Sequence, residues 1–282
     1  MKIILKLIVL LSFLIFVISG CFKQVGEKFA DKLIENADPG RNPNRPLKKP
    51  ATEVTDPDEQ YKMAVAYARK GLYQYAKEAI YLYTKAAEQG HVGAQAGLGK
   101  FYYKDAASTL GRYKKDLNLA VQWYTKAADQ GHIQSMMSLG EIFQNGGTGL
   151  LKDPEQSKAY YSKGIAAYKT NANNKDVDSQ YKLGLIYKAG KATKRDLTEA
   201  ARWYEKAALN GHTKAQIAIG DAYLFGRGIA KDPIKGHAWF EVARYYGANY
   251  TSVVRLKEES VSNAVAISKE LIQKIEANKN PL

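Results

Sequence analysis

The sequence is poor in the residues that most often build chemistry: its 282 residues include one cysteine and four histidines. A single thiol excludes an intramolecular disulfide, a dithiol redox couple and any metal site made of several cysteines. Acidic residues are also scarce, 28 against 42 lysines and arginines, which leaves a formal net charge of +14. Such an excess suits an anionic partner, nucleic acid or a membrane surface. The basic residues are nevertheless scattered rather than clustered, so a lysine-rich solvated surface that aids solubility is the preferred reading. Long apolar runs are missing apart from Leu7 to Ile18 (LIVLLSFLIFVI), which falls short of the ~20 residues needed to span a bilayer. A hydrophobic content of 45% with 11% aromatics excludes a disordered chain and provides material for a buried core.

Lys2 and Lys6 precede that apolar run, the arrangement of an export signal. The run ends in Ile18-Ser19-Gly20-Cys21, which resembles a bacterial lipobox. The resemblance implies a signal peptide over residues 1–20, cleavage before Cys21, a diacylglycerol thioether on Cys21 and acylation of the new amine. Several acyl chains anchor firmly where one is marginal, because each buried CH₂ contributes ~0.8 kcal/mol. The alternative is an ordinary export signal with an incidental cysteine. Phe22, not being aspartate, implies by the same resemblance an outer-membrane anchor facing the periplasm of a Gram-negative cell, where nucleic acid is not an expected partner. Residues 21–57 contain Pro39, Pro43, Pro46, Pro50 and Pro57 and read as a lipidated, semi-extended tether. Within it, residues 22–36 can form a short amphipathic helix through Phe22, Val25, Phe29 and Leu33.

From residue 58 onward a unit of about 36 residues recurs four or five times. Its first half sets a small residue, an apolar residue, a glycine and an aromatic at fixed offsets. The copies are Ala94, Leu98, Gly99, Tyr102; Ser135, Leu139, Gly140, Phe143; Ser179, Leu183, Gly184, Tyr187; and Ala215, Ile219, Gly220, Tyr223. A weaker first copy holds Met63, Ala64 and Tyr67. These offsets lie on one face of a helix, and the repeated mid-helix glycine marks a close approach between helices. The second half, as in Ala120, Trp123, Tyr124, Ala127, Ala128 and Gly131 or Ala200, Trp203, Tyr204, Ala207, Ala208 and Gly211, is also helical and ends at a glycine cap. Asp116, Asp153, Asp196 and Asp232 are placed as N-caps, with Pro154 and Pro233 at the first helical position and Gln156 or Glu199 completing a capping box. The register puts Trp123, Trp203 and Trp239 in the core.

The segments KDLNLAVQWYTKAADQGH and RDLTEAARWYEKAALNGH closely resemble the Sel1-like repeat, a relative of the tetratricopeptide repeat. The resemblance implies an all-α, right-handed solenoid of helix-turn-helix units over residues 58–250 that works as a scaffold for partner proteins and rarely carries catalysis. Two units depart from the pattern. The second has a longer interhelix loop (DAASTLGRYKKD), and the third (YYSKGIAAYKTNANNKDVDSQ) gains residues and loses its Ala-Ala-x-x-Gly-His ending; such insertions fall on one rim, as partner contacts or as drift in loop length. Residues 251–282 supply a closing helix over Val253 to Ala277, apolar at Val261, Ala264, Ile267, Leu271 and Ile275.

No catalytic, cofactor or metal site emerges. His91, His132 and His212 recur at one corner of the repeat, His237 has no triad or metal partners in its vicinity, and Gly226 to Gly228 follow a helix rather than a strand. Cysteine-rich relatives described as penicillin-binding or β-lactamase-like pair cysteines within repeats, which this chain cannot do. The expected function is therefore a non-enzymatic, membrane-anchored scaffold without cofactor. Some Sel1-repeat lipoproteins resemble immunity proteins that neutralise type VI secreted phospholipases, so a lipase-type toxin is the preferred partner. An envelope adaptor and a lipid- or cell-wall-binding module are the alternatives, and Cys21 is the one site residue named.

Overall fold

The computed structural model of the protein describes residues 54–69, 73–103, 115–250 and 255–279. Cys21, the tether as far as residue 53, the segment 22–36 and most of the longer loop of the second repeat lie outside the described residues. The chain divides after Lys115 into two compact units. The first holds α1 (Pro57–Arg69), α2 (Tyr73–Glu88) and α3 (Val92–Tyr103). The second holds α4 (Leu117–Asp129), α5 (Ile133–Asn145), α6 (Pro154–Asn173), α7 (Val177–Ala189), α8 (Leu197–Leu209), α9 (Thr213–Phe225), α10 (Pro233–Tyr245) and α11 (Glu258–Lys279). Within each unit every helix packs mainly on those before and after it in sequence, and α11 packs on α8 as well as α10. This nearest-neighbour packing is the all-helical repeat architecture expected of the sequence.

The repeated small and apolar positions form the core. Leu98, Leu139, Leu183 and Ile219 are each fully buried, as are Ala94, Ser135 and Ala215. The glycine after the apolar residue makes room for a ring of the following helix. A Cβ at Gly140, Gly184 or Gly220 would sit 2.5 Å from Tyr161, Tyr204 or Phe240 respectively. The close approach is thus mainly of a ring to a helix, where the sequence suggested two helices.

Asp116, Asp153, Asp196 and Asp232 are the N-caps of α4, α6, α8 and α10, each accepting the backbone N–H three residues on. The capping box, however, does not form as expected. The backbone N–H groups of Asp153, Asp196 and Asp232 already donate to the carbonyls of Phe143, Tyr187 and Tyr223 at 2.8, 3.0 and 2.9 Å. Those bonds close each helical hairpin. Gln156 turns instead to the Asp153 carboxylate (2.8 Å), and Glu199 pairs with Arg202 (3.4 Å). The terminal glycines stand one residue past the cap, with φ of +85° at Gly131 and +90° at Gly211.

The recurring histidines are caps as well. Nδ1 of His91, His132 and His212 accepts the backbone N–H of Ala94, Ser135 and Ala215 at 3.0, 3.2 and 3.1 Å. Nε2 of His91 and His212 faces the carboxylates of Asp58 and Asp178, both at 3.2 Å, while Tyr61 and Tyr181 stack on the two rings at 4.4 Å. Each of these histidines thereby ties the start of one repeat to the first helix of the repeat before it. In the third repeat Lys175-Asp176 replaces Gly-His. Asp176 takes over the cap, accepting from Ser179 N–H at 2.8 Å, and Lys175 adopts the left-handed φ of +66° that glycine otherwise supplies.

Nδ1 can accept only while unprotonated. Burial holds His132 and His212 below their ordinary value of 6.5, Asp178 opposing this in part at His212 and Lys214 adding to it. The unfolded chain therefore takes up protons that the folded chain refuses. Their contribution to stability is complete above pH 6.5 and is lost as the pH falls through the depressed folded values. A lower urea midpoint is expected in mildly acidic buffer than at neutral pH. His212→Asn, which keeps a capping side chain, should flatten the dependence, and an unchanged slope in that variant would count against the assignment.

Three expectations are revised. The extra residues of the third repeat lengthen α6 to 20 residues, against 13 in α4, α8 and α10, instead of forming a loop, because Tyr168 stands where the other repeats have the turn glycine. Trp239 and Trp203 are buried (2% and 9% exposed), but Trp123 is only half-buried and lies under Lys126 Nζ at 4.4 Å. The closing helix starts at Glu258 rather than Val253 and buries Ala264, Ser268 and Ile275, leaving Val261 exposed.

Candidate partner-binding groove

The first helices of neighbouring repeats, α5 and α7, are separated by α6, and an open groove of about 220 Å³ runs between them. Met137 and Ser138 of α5 and Leu185, Ile186 and Ala189 of α7 form its walls, and Tyr161 and Tyr168 of α6 its floor. Tyr168 exists there because α6 is long: it stands fifteen residues after its N-cap, where the other repeats have Gly131 and Gly211. The departure of the third repeat from the pattern thus builds the groove.

Polar groups finish the two ends. The Tyr168 hydroxyl donates to Gln134 (3.5 Å) and the Tyr161 hydroxyl to Gln144 (3.2 Å). Burial, helped by Asp176, raises the Tyr168 pKa above its ordinary value of 10.0, so it is a neutral donor. Glu141, Lys182 and Lys191 also line the groove, and none of them forms an ion pair among the described residues. An apolar trough edged by unpaired charges of both signs can hold an extended stretch of polypeptide. It holds no nucleophile with an adjacent base, and among the described residues no cluster of three or more His, Cys, Asp or Glu could hold a metal ion.

Sequence reasoning did not find this groove as such. The available signal was the replacement of the turn glycine by Tyr168, and its meaning depends on where α5 and α7 stand. Cys21 lies outside the described residues, so no geometry attaches to it.

A model of the Sel1 repeat matches residues 60–91, 92–132, 133–167, 177–212 and 213–244, more than half of the chain. The chain belongs to the Sel1 repeat family. The five matched segments follow the helical hairpins closely, and residues 168–176, where α6 overruns the pattern, fall between matches. Among solved structures, a Sel1 repeat protein of Oxalobacter formigenes is 25% identical, with 79% of this chain and 91% of that one covered and a TM-score of 0.49. A protective antigen of uropathogenic Escherichia coli is 24% identical at a TM-score of 0.44; the match takes in 81% of this Sel1 chain but only 57% of the antigen. An immunity protein of Pseudomonas aeruginosa is 17% identical, with 83% and 90% covered and a TM-score of 0.44. At these values no role passes from any of them to this chain. A search of curated proteins gives no significant match.

Proposed function

We propose that this Sel1 repeat protein is a non-enzymatic scaffold, held at a cell-envelope membrane through Cys21, that binds another protein in the groove between α5 and α7. The observation that carries the reading is the groove itself, with an apolar lining of Met137, Tyr161, Tyr168 and Leu185 beside the unpaired Glu141 and Lys182. A partner segment would cover the apolar side chains and meet the charges at the edge, the usual division between the core and rim of an interface. The partner we favour is a secreted phospholipase-type toxin, which makes the protein an immunity protein. Its support is the combination of lipobox and Sel1 repeats, since an inhibitor tethered at the membrane stands where such a toxin acts.

The test uses the full chain purified in detergent with its natural N-terminus. Leu185→Glu, which sets a charge on the apolar wall, is expected to weaken partner capture at least ~30-fold, the effect of losing a central anchor worth about 2 kcal/mol. A captured phospholipase that loses activity at one equivalent of the wild-type chain and keeps it with the variant would support the reading. Capture of an endogenous envelope complex would replace immunity with an adaptor role, and the absence of any stoichiometric partner would overturn both. In the same material the mature N-terminus should be an acylated Cys21, and Cys21→Ala should leave the uncleaved, unacylated chain by intact mass; an unmodified Cys21 would remove the anchor from the proposal.

A further inference from the structure

We propose that the corners where α5, α7 and α9 turn into α6, α8 and α10 form a basic rim that docks on an anionic lipid surface. The three loops span residues 146–153, 190–196 and 226–232, and local contacts set each against its neighbour. Asn118, at the start of α4, donates to the Gly149 carbonyl (3.3 Å). Gln144, at the end of α5, reaches the carbonyl of Lys191 (3.5 Å). Gly228 lies on the backbone of Leu197 at the start of α8, so close that a Cβ would fall 2.0 Å from its oxygen.

These loops carry Lys152 in the first, Lys191, Lys194 and Arg195 in the second, and Arg227 and Lys231 in the third, all exposed. None of them forms an ion pair among the described residues. The acids of the same loops are the caps Asp153, Asp196 and Asp232, whose carboxylates accept backbone N–H groups at 2.9, 2.9 and 3.0 Å; Asp232 also faces Lys235 at 3.7 Å. Positive charge is therefore in excess along the rim.

A second observation favours lipid over an acidic protein. Leu151 is 88% exposed. The turn behind it is fixed by paired backbone bonds between Gly147 and Leu150 (2.9 and 3.0 Å) and by Gly149 at a φ of +79°, so the leucine is held outward beside Lys152. Phe225, 44% exposed, stands at the third corner with the Arg227 guanidinium 4.7 Å from its ring. An isolated apolar side chain next to cations needs a complementary pocket on a protein, whereas any bilayer offers it the acyl boundary while phosphates meet the cations. The proposal rests on the second unit alone and does not depend on acylation of Cys21.

The experiment uses the full chain with Cys21→Ser, so that an environment-sensitive fluorophore on Leu151→Cys is the only label. Phosphatidylcholine vesicles with and without phosphatidylglycerol are the probes. The apolar leader binds both kinds of vesicle, but the fluorophore reports immersion of the rim itself. A blue shift is expected with the anionic vesicles, absent with the neutral ones and reversed by high salt. Adding Lys152→Glu, Lys194→Glu and Lys231→Glu, one change per loop, should weaken the anionic-vesicle response at least ~10-fold, since each cation near the surface contributes to binding. The helical circular dichroism of that variant should match the parent. No shift with anionic vesicles, as for a rim that serves an acidic protein, would overturn the proposal; so would an equal shift on neutral vesicles or an undiminished response in the folded triple variant.

Discussion

Gln180→Ala is expected to destabilise the second unit by about 3 kcal/mol, a large effect for a residue that carries no charge and touches no ligand. The Gln180 side chain is fully buried. Its amide donates to the Ala172 carbonyl at the end of α6 (3.0 Å) and accepts from the Asn210 amide at the end of α8 (3.0 Å). One side chain thus joins the ends of two successive second helices. Truncation removes both hydrogen bonds, each contributing about 1 kcal/mol, and leaves a cavity in a packed interior. In a repeat protein the damage should be local: amide exchange should accelerate first at the α6–α7 junction, with a smaller change in α10. Gln216 is the internal comparison. It reaches the Ala208 carbonyl at 3.3 Å, but its own oxygen has no partner among the described residues. Tyr246 occupies the place of Asn210 in that repeat and donates its hydroxyl to Glu276. Gln216→Ala should therefore cost about 1 kcal/mol less than Gln180→Ala. Equal losses in urea titrations would mean that the Asn210 bond contributes nothing.

That amide relay marks the boundary between what the sequence discloses and what it does not. The aspartate caps, the glycine turns and the buried Leu98, Leu139, Leu183 and Ile219 are local signals: each works within one turn of helix, so its meaning is complete in the sequence around it. The histidine caps were half legible, since the recurrence of His91, His132 and His212 is visible but the role of Nδ1 requires knowing that the ring folds back on its own helix. Gln95, Gln180 and Gln216 pass for ordinary polar residues until the carbonyls of Ala87, Ala172 and Ala208 are placed beside them. The groove was the least legible feature, because it depends on the spacing of two helices that make little contact with each other. The failed capping box has a local cause that no pattern of spacing reveals: the N–H it needs is already committed to the preceding helix.

The second large effect is expected at Gly184. A Cβ there would lie 2.5 Å from Cδ1 and Cε1 of Tyr204, and Tyr204 is 4% exposed with nowhere to swing. Gly184→Val should thus force α7 and α8 apart and cost about 3 kcal/mol, although an exposed helix would gain a few tenths of a kcal/mol from losing its glycine. Gly164 supplies the contrast. Its added Cβ would meet the sulfur of Met137 at 2.7 Å, the end of an unbranched side chain that can move aside. Gly164→Ala is expected to be neutral or stabilising by up to about 1 kcal/mol, and because Met137 lines the groove, any displacement of it should register in partner binding rather than in stability. The decisive measurement is a double-mutant cycle in which Tyr204→Ala opens the space that Gly184→Val needs. The two changes together should cost about 2 kcal/mol less than the sum of their separate costs. Additive losses would mean that the ring does not set the distance between the two helices, and that the glycine recurring at Gly140 and Gly220 answers some other requirement of the repeat.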